Sequence, residues 1–230
     1  MRKHTVVRGA VLCVALVAGA AGAQTQATTT APATATATTP DQRWTVDSGQ
    51  TVGDGANVVR AQVAWPGLWL DYVHGLSSTL DIGGRVALNW GGPVGEVNST
   101  VFNIDIQLLL RDQIAEIAGL KLALTFNPGV IIYTSGGATG INIPVGAQLG
   151  IPFNDQLTFN ASFELPFYLV FGNGQTNFVI PLMFGGGAEY RLQPNLLLTF
   201  KLAMGPSIPT LSGTTTQFAL QALAGVAYKF

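Results

Sequence analysis

Phe218-Ala-Leu-Gln-Ala-Leu-Ala-Gly-Val-Ala-Tyr-Lys-Phe230 decides how the rest of the chain is read. Phe218, Leu220, Ala222, Ala224, Val226, Tyr228 and Phe230 are apolar, whereas the positions between them hold Gln221 and Lys229. Alternation with a period of two makes this a strand with one greasy face and one that tolerates charge.

The same pattern recurs upstream. Leu196, Leu198, Phe200, Leu202 and Met204 oppose Thr199 and Lys201, and Phe178, Ile180, Leu182, Phe184 and Tyr190 oppose Glu189 and Arg191. Strands follow over 156–170, 140–152, 119–127, 101–111 and 80–90, with Glu164, Lys121, Asp105, Arg111, Asp81 and Arg85 on their polar faces. A basic residue facing lipid near the midplane costs roughly 2–4 kcal/mol, which explains one face free of charge. A soluble sandwich also alternates, but its strands average about five or six residues and its solvent face is densely charged. Here strands of nine to fifteen residues suit a tilted crossing of a bilayer. Aromatic residues mark two levels, Trp90, Phe102, Phe167, Phe178 and Phe218 at one and Phe159, Tyr190, Tyr228 and Phe230 at the other, as in two interfacial girdles.

Composition agrees. Of 230 residues 48 % are hydrophobic and only 10 % charged, yet no apolar run after the start is long enough for a spanning helix. Residues 1–23 have the form of a cleaved signal peptide: Arg2, Lys3 and Arg8, an apolar stretch from Val11 to Val17, then Ala21-Gly22-Ala23. The one cysteine, Cys13, lies inside it, so the mature chain has no disulfide or thiolate metal site. Loss of Arg2, Lys3 and Arg8 leaves eight basic against twelve acidic residues, a net charge of −4 with no footprint for nucleic acid. Residues 24–40, rich in Ala, Thr and Pro, form a disordered tether, 41–56 a periplasmic lead-in, and 57–230 the barrel.

Reading back from a periplasmic C-terminus, the outer connections are 91–99, 134–140, 171–176 and 206–215, and the inner ones 75–78, 153–155 and 192–194. Segment 112–118 is longer than an inner turn should be. Eight strands lie between 80 and 230. A further hairpin, 57–64 and 68–72 about Trp65-Pro66-Gly67, sets Arg60 and Asp71 on the polar face and raises the count to ten. That turn is short for an outer loop, so an eight-stranded barrel with 57–74 as an inner hairpin is the alternative.

The chemistry open to this chain is narrow. His74 is the one histidine of the mature chain, beside a predicted inner turn with Ser78 nearby, and reads as an interfacial polar residue rather than a general base. One His and no Cys give no strong metal site, and no cofactor is expected. Gly185-Gly186-Gly187 reads as a bend or a close packing, not a phosphate cradle. The expected site is a lumen charge network: Arg60, Arg85, Arg111, Lys121, Arg191, Lys201 and Lys229 against Asp71, Asp81, Asp105, Glu164 and Glu189. Eight to ten strands leave an interior just filled by side chains, or room for one small ligand. Two readings stay open: a filled barrel with an envelope-structural or surface role, and a narrow pore or conduit for small or hydrophobic solutes. Loops 91–99 and 206–215 are where ligand contacts are expected.

Tyr228-Lys229-Phe230 at the chain end, on top of this alternation, resembles the terminal strand of bacterial outer-membrane β-barrel proteins, the small OmpA/OmpX/OmpW-like class. The resemblance covers 57–230 and singles out no subfamily. It implies a non-enzymatic, closed antiparallel transmembrane barrel surrounded by outer-membrane lipid. It also implies that Tyr228 and Phe230 form the signal read by the barrel-assembly machinery.

Overall fold

The computed structural model describes residues 43–92, 94–95, 101–134, 137–172, 175–210 and 215–230. The leader expected over 1–23 and the tether over 24–40 lie outside the described residues. Among the described residues all regular structure is antiparallel β: β1 (Asn57–Trp65), β2 (Gly67–Gly75), β3 (Leu80–Trp90), β4 (Phe102–Ile117), β5 (Leu120–Phe126), β6 (Gly129–Tyr133), β7 (Thr139–Pro152), β8 (Leu157–Gly172), β9 (Gln175–Pro181), β10 (Met183–Gln193), β11 (Leu196–Pro209) and β12 (Gln217–Lys229). β5 and β6 lie end to end, each pairing with β4 and β7. β9 and β10 share β8 and β11 in the same way. Twelve segments therefore make ten staves.

The first hairpin closes the ring. β1 pairs with β2 on one side and, from Val58↔Lys229 to Trp65↔Ala222, with β12 on the other. A sheet closed on itself has no open edge, the condition for a β structure in hydrocarbon. Ten staves, not eight, is thus the outcome. The short outer turn is supported from its neighbours: the Pro66 carbonyl accepts from Trp90 N at 2.7 Å, and Trp65 Nε1 donates to Gly95 O at 3.3 Å.

Segment 112–118 is not a long turn. β4 continues through it to Ile117, with a bulge between Gln113 and Ala115, and reverses at Ala118–Gly119. Both turn residues have positive φ, 53° and 82°, as a two-residue hairpin needs to match strand twist. Sequence alternation missed this because the bulge shifts the period, so that Ile114 and Ile117 both face outward.

Side chains alternate as the pattern requires. Val63, Leu70, Phe184 and Phe218 are exposed on the outside, whereas Arg60, Asp71, Asp81 and Glu189 are almost wholly buried inside. A continuous apolar outer surface of this kind is stable only against hydrocarbon. Girdle residues on neighbouring strands touch: Trp90 and Phe102 have ring centroids 6.0 Å apart, and Phe167 stacks on Phe178 at 6.3 Å.

Candidate functional site

The lumen is the site, and it has two halves. In the inner half, register alone sets up a row of charges: Arg60 lies opposite Asp71 across β1–β2, and Asp71 opposite Arg85 across β2–β3. Asp71 is held from both sides. Arg60 Nε donates at 2.8 Å, Arg85 Nε at 2.7 Å and Arg85 Nη2 at 3.0 Å. One strand further, Asp81 faces Arg111, whose Nε donates to it at 3.0 Å. Lys201 on β11 pairs with Glu164 on β8, over the intervening β10. Toward the outer end Asp105, in register with Ile131, has amide partners instead, accepting from Asn142 Nδ2 at 2.7 Å and Gln107 Nε2 at 2.6 Å.

Residues 43–52, expected as part of a periplasmic lead-in, fold against this inner wall as a plug. Trp44, Thr45, Val46, Asp47, Ser48, Thr51 and Val52 are all buried. Asp47 reaches Arg60 Nη1 at 2.5 Å, so Arg60 bridges two carboxylates. Glu189 Oε1 accepts from the backbone of Val46 at 2.7 Å and Asp47 at 3.2 Å. Arg111 donates to Ser48 O at 3.2 Å and Thr45 O at 2.8 Å, while Asp81 accepts from Val52 N at 3.2 Å. Lys229 donates to Val52 O at 2.9 Å and sits over the Trp44 ring at 5.7 Å. Trp44, Val46 and Val52 also pack with Val58, Val73 and Leu197 of the wall. Gly49 passes so close to the wall that a Cβ would lie 1.7 Å from Lys121 O, and only glycine fits there.

Burial by itself would raise the pKa of Asp47, but Arg60, and after it Lys201 and Arg85, outweigh that and hold it below the ordinary carboxylate value. The plug therefore carries its charge at neutral pH. With Asp47 inside, six carboxylates (Asp47, Asp71, Asp81, Asp105, Glu164 and Glu189) meet the cations Arg60, Arg85, Arg111, Lys201 and Lys229, and the positive surplus counted from the strands alone disappears. Lys121 lies at the inner end in register with Glu116, and Arg191 donates to Asp155 O at the inner rim. Tyr228 and Phe230 face outward and are exposed, with Phe230 N bonded to Asn57 O at 2.9 Å.

The outer half sets an apolar cluster among buried amides, Asn89, Asn103, Asn142 and Gln221. Val94 from the 91–99 connection reaches in and packs with Ile131, Tyr168, Val179, Met183, Ala203 and Ala219. Between the halves, Arg85 stacks on Trp69 at 4.4 Å, and Trp69 Nε1 donates to Asn89 Oδ1 at 2.8 Å. A void of about 60 Å³ between plug and wall, lined by Asp47, Arg60, Arg85, Arg111 and Lys201, has room for only a few waters. A second, about 40 Å³, lies between Trp69 and Tyr168 and is lined by Arg85, Asp105, Asn142 and Glu164.

His74 shares Asn57 Oδ1 with the Tyr72 hydroxyl, its Nδ1 at 2.9 Å. Among the described residues no group of three or more His, Cys, Asp or Glu is placed to hold a metal ion. Plug residues Trp44 and Asp47 were not among the expected site residues; a Trp and a Val two apart before an Asp, Trp44-Thr-Val46-Asp47, is the faint signal they offered.

No family model matches the chain, and no curated protein does. Among solved structures it is similar to the N-terminal β-barrel domain of Pseudomonas aeruginosa OprF, at 11 % identity and a TM-score of 0.35, over 77 % of this chain and 99 % of that one. It is also similar to the KdgM porin in complex with disordered oligogalacturonate, at 8 % identity and a TM-score of 0.39, over 76 % and 99 %. The architecture itself, ten staves closed by β12 on β1 with an apolar outside and a charged inside, is that of an outer-membrane β-barrel.

Proposed function

We propose that this protein is a non-enzymatic outer-membrane barrel that closes its own axis, with residues 43–52 as a built-in stopper at the periplasmic end. The observation that carries this is the Asp47–Arg60–Asp71 bridge, in which a residue outside the strands completes an ion network inside the lumen. Removing one member of such a buried network leaves an uncompensated charge at a cost of about 3–5 kcal/mol, so the stopper is not a loosely resting tail. In this reading the leader 1–23 is removed, the N-terminus is periplasmic, and Tyr228 and Phe230 present the C-terminal strand to the assembly machinery. The role is then structural or surface-exposed rather than axial transport. Reconstitution in planar bilayers tests it. The full chain is expected to give no steady openings at moderate voltage, whereas steady openings favour the narrow-pore reading instead.

A further inference from the structure

One carboxylate stands on the lipid side of the wall. Along β4 the residues turned to that side are Phe102, Ile104, Ile106, Leu108 and Leu110, and the next in the series is Asp112, which is exposed. Among the described strand residues it is the one Asp, Glu, Lys or Arg on that face. Its cross-strand partners are Leu80 on β3 and Leu124 on β5, both apolar. The bulge that follows puts the next carboxylate, Glu116, in register with Lys121, but Asp112 lies before the bulge and keeps its place. An acidic side chain costs less than a basic one on a lipid face, and least near an interface. Leu80 is the first residue of β3, so Asp112 beside it marks the inner rim.

A groove of about 490 Å³ opens at this carboxylate on the lipid side. Leu110, Leu124, Phe126, Phe163 and Leu165 wall it, with Ala147 as its floor. Ala147 lies in register between Leu124 and Phe163, and one methyl group between two large side chains leaves a dent. Asp112, Leu124, Ala147 and Phe163 form a single line of cross-strand partners, three steps of about 4.8 Å or about 14 Å in all. The line climbs away from the rim. Leu124 is four residues into β5 from its inner end and Phe163 six into β8, whereas Asp112 is level with the start of β3. Strand tilt of about 35–45° produces this rise. The groove therefore runs from the inner rim toward the middle of the wall, apolar along its length and acidic at its lower end.

A phospholipid has the matching layout, with its headgroup held at the interface and its chains directed to the midplane. The volume falls within the range of about 300–1,000 Å³ usual for small-molecule sites. An ammonium group brings a positive charge and three N–H donors, and hydrogen bonds between ions are the strong ones. Ethanolamine carries such a group, choline has the charge without the donors, and a glycerol headgroup leaves the lipid with net negative charge. We propose that Asp112 and the groove bind one phosphatidylethanolamine of the inner leaflet, its ammonium on the Asp112 carboxylate and one acyl chain along Ala147. This goes beyond the closed-axis reading and shares with it only the orientation, inner end to the periplasm.

Native mass spectrometry of the full chain in detergent tests the site. Phosphatidylethanolamine, phosphatidylcholine and phosphatidylglycerol with identical acyl chains are added one at a time. Wild-type protein is expected to retain the ethanolamine lipid about three-fold better than either of the others, the scale of a partly exposed ion pair. Asp112→Asn should bring the ethanolamine lipid down to the level of the choline lipid, and Asp112→Glu should keep the preference. Ala147→Phe, which fills the floor, should weaken all three alike. Equal retention of ethanolamine and choline lipids by wild-type protein, or a preference that survives Asp112→Asn, overturns the site and leaves Asp112 a hydrated rim residue. A dimer in place of lipid adducts, lost in Ala147→Phe, assigns the groove to a second copy of this chain and overturns it as well. The comparison of lipids on wild-type protein needs no variant, so it decides the matter even where a variant assembles poorly. Bilayer conductance is expected to be the same in Asp112→Asn as in the wild type, so the stopper and the lipid site fail separately.

Discussion

The inner half of the lumen is closed by ion pairs and an added segment, the outer half by an apolar cluster set among amides. In the inner half the wall presents Arg60, Asp71, Asp81, Arg85 and Arg111, and a separate segment enters to complete their pairing. In the outer half Ile131, Tyr168, Val179 and Met183 interdigitate, with Val94 added from a connection. Ion pairs in a low-dielectric interior are intolerant of a missing partner, whereas apolar packing tolerates exchange at constant volume. The inner half is therefore built to stay shut, and the outer half can repack.

The largest effect is expected from Asp71→Asn, which keeps the shape but leaves Arg60 and Arg85 facing each other with one carboxylate fewer. A loss of about 3–5 kcal/mol should appear as a lower temperature for the heat-dependent shift in gel mobility. A shift equal to the wild type would show that the inner half is not held by charge.

Leu70→Arg adds a charge on the lipid side of the same hairpin, where Leu70 is 59 % exposed. It should cost roughly 2–4 kcal/mol in urea titrations in lipid vesicles. A neutral result would place this face in water and remove the basis for reading the interior as the polar side.

Acid distinguishes the halves through Asp47. Its pKa is held below the ordinary carboxylate range by Arg60, so the stabilisation is complete above about pH 4, the unfolded value, and fades as pH falls through the folded one. Bilayer recordings are expected to stay silent from pH 8 to 5 and to show openings only under more acidic conditions. Openings that appear near pH 7 would contradict the pairing.

The smallest effect is expected in the outer half. Met183→Leu, at 1 % exposure, should cost under about 1.5 kcal/mol because volume is conserved and no polar partner is lost. A loss matching that of Asp71→Asn in the same mobility assay would erase the contrast.

The barrel was legible because lipid imposes a period of two that survives from Leu80 to Phe230 without a charged exception among the staves read. Arg60 with Asp71 and Arg111 with Asp81 were legible as inward charges for the same reason, although their pairing needed the register. Two features were hidden. The bulge at Gln113–Ala115 breaks the period locally, so a strand end read as a long turn. The plug has no period at all, and its partners lie far along the chain: Val46 bonds Glu189 and Val52 bonds Lys229, separations of 143 and 177 residues. A polar, glycine-containing segment before the first strand looks the same whether it hangs in water or folds into a barrel.

Single-channel recording on the full chain beside a variant lacking residues 43–52 tests the account most directly. The full chain should be silent at moderate voltage, and the shortened one should open in steady steps once Arg60, Arg111 and Glu189 lose their plug partners. Equal conductance from both proteins, or openings in the full chain alone, would contradict it.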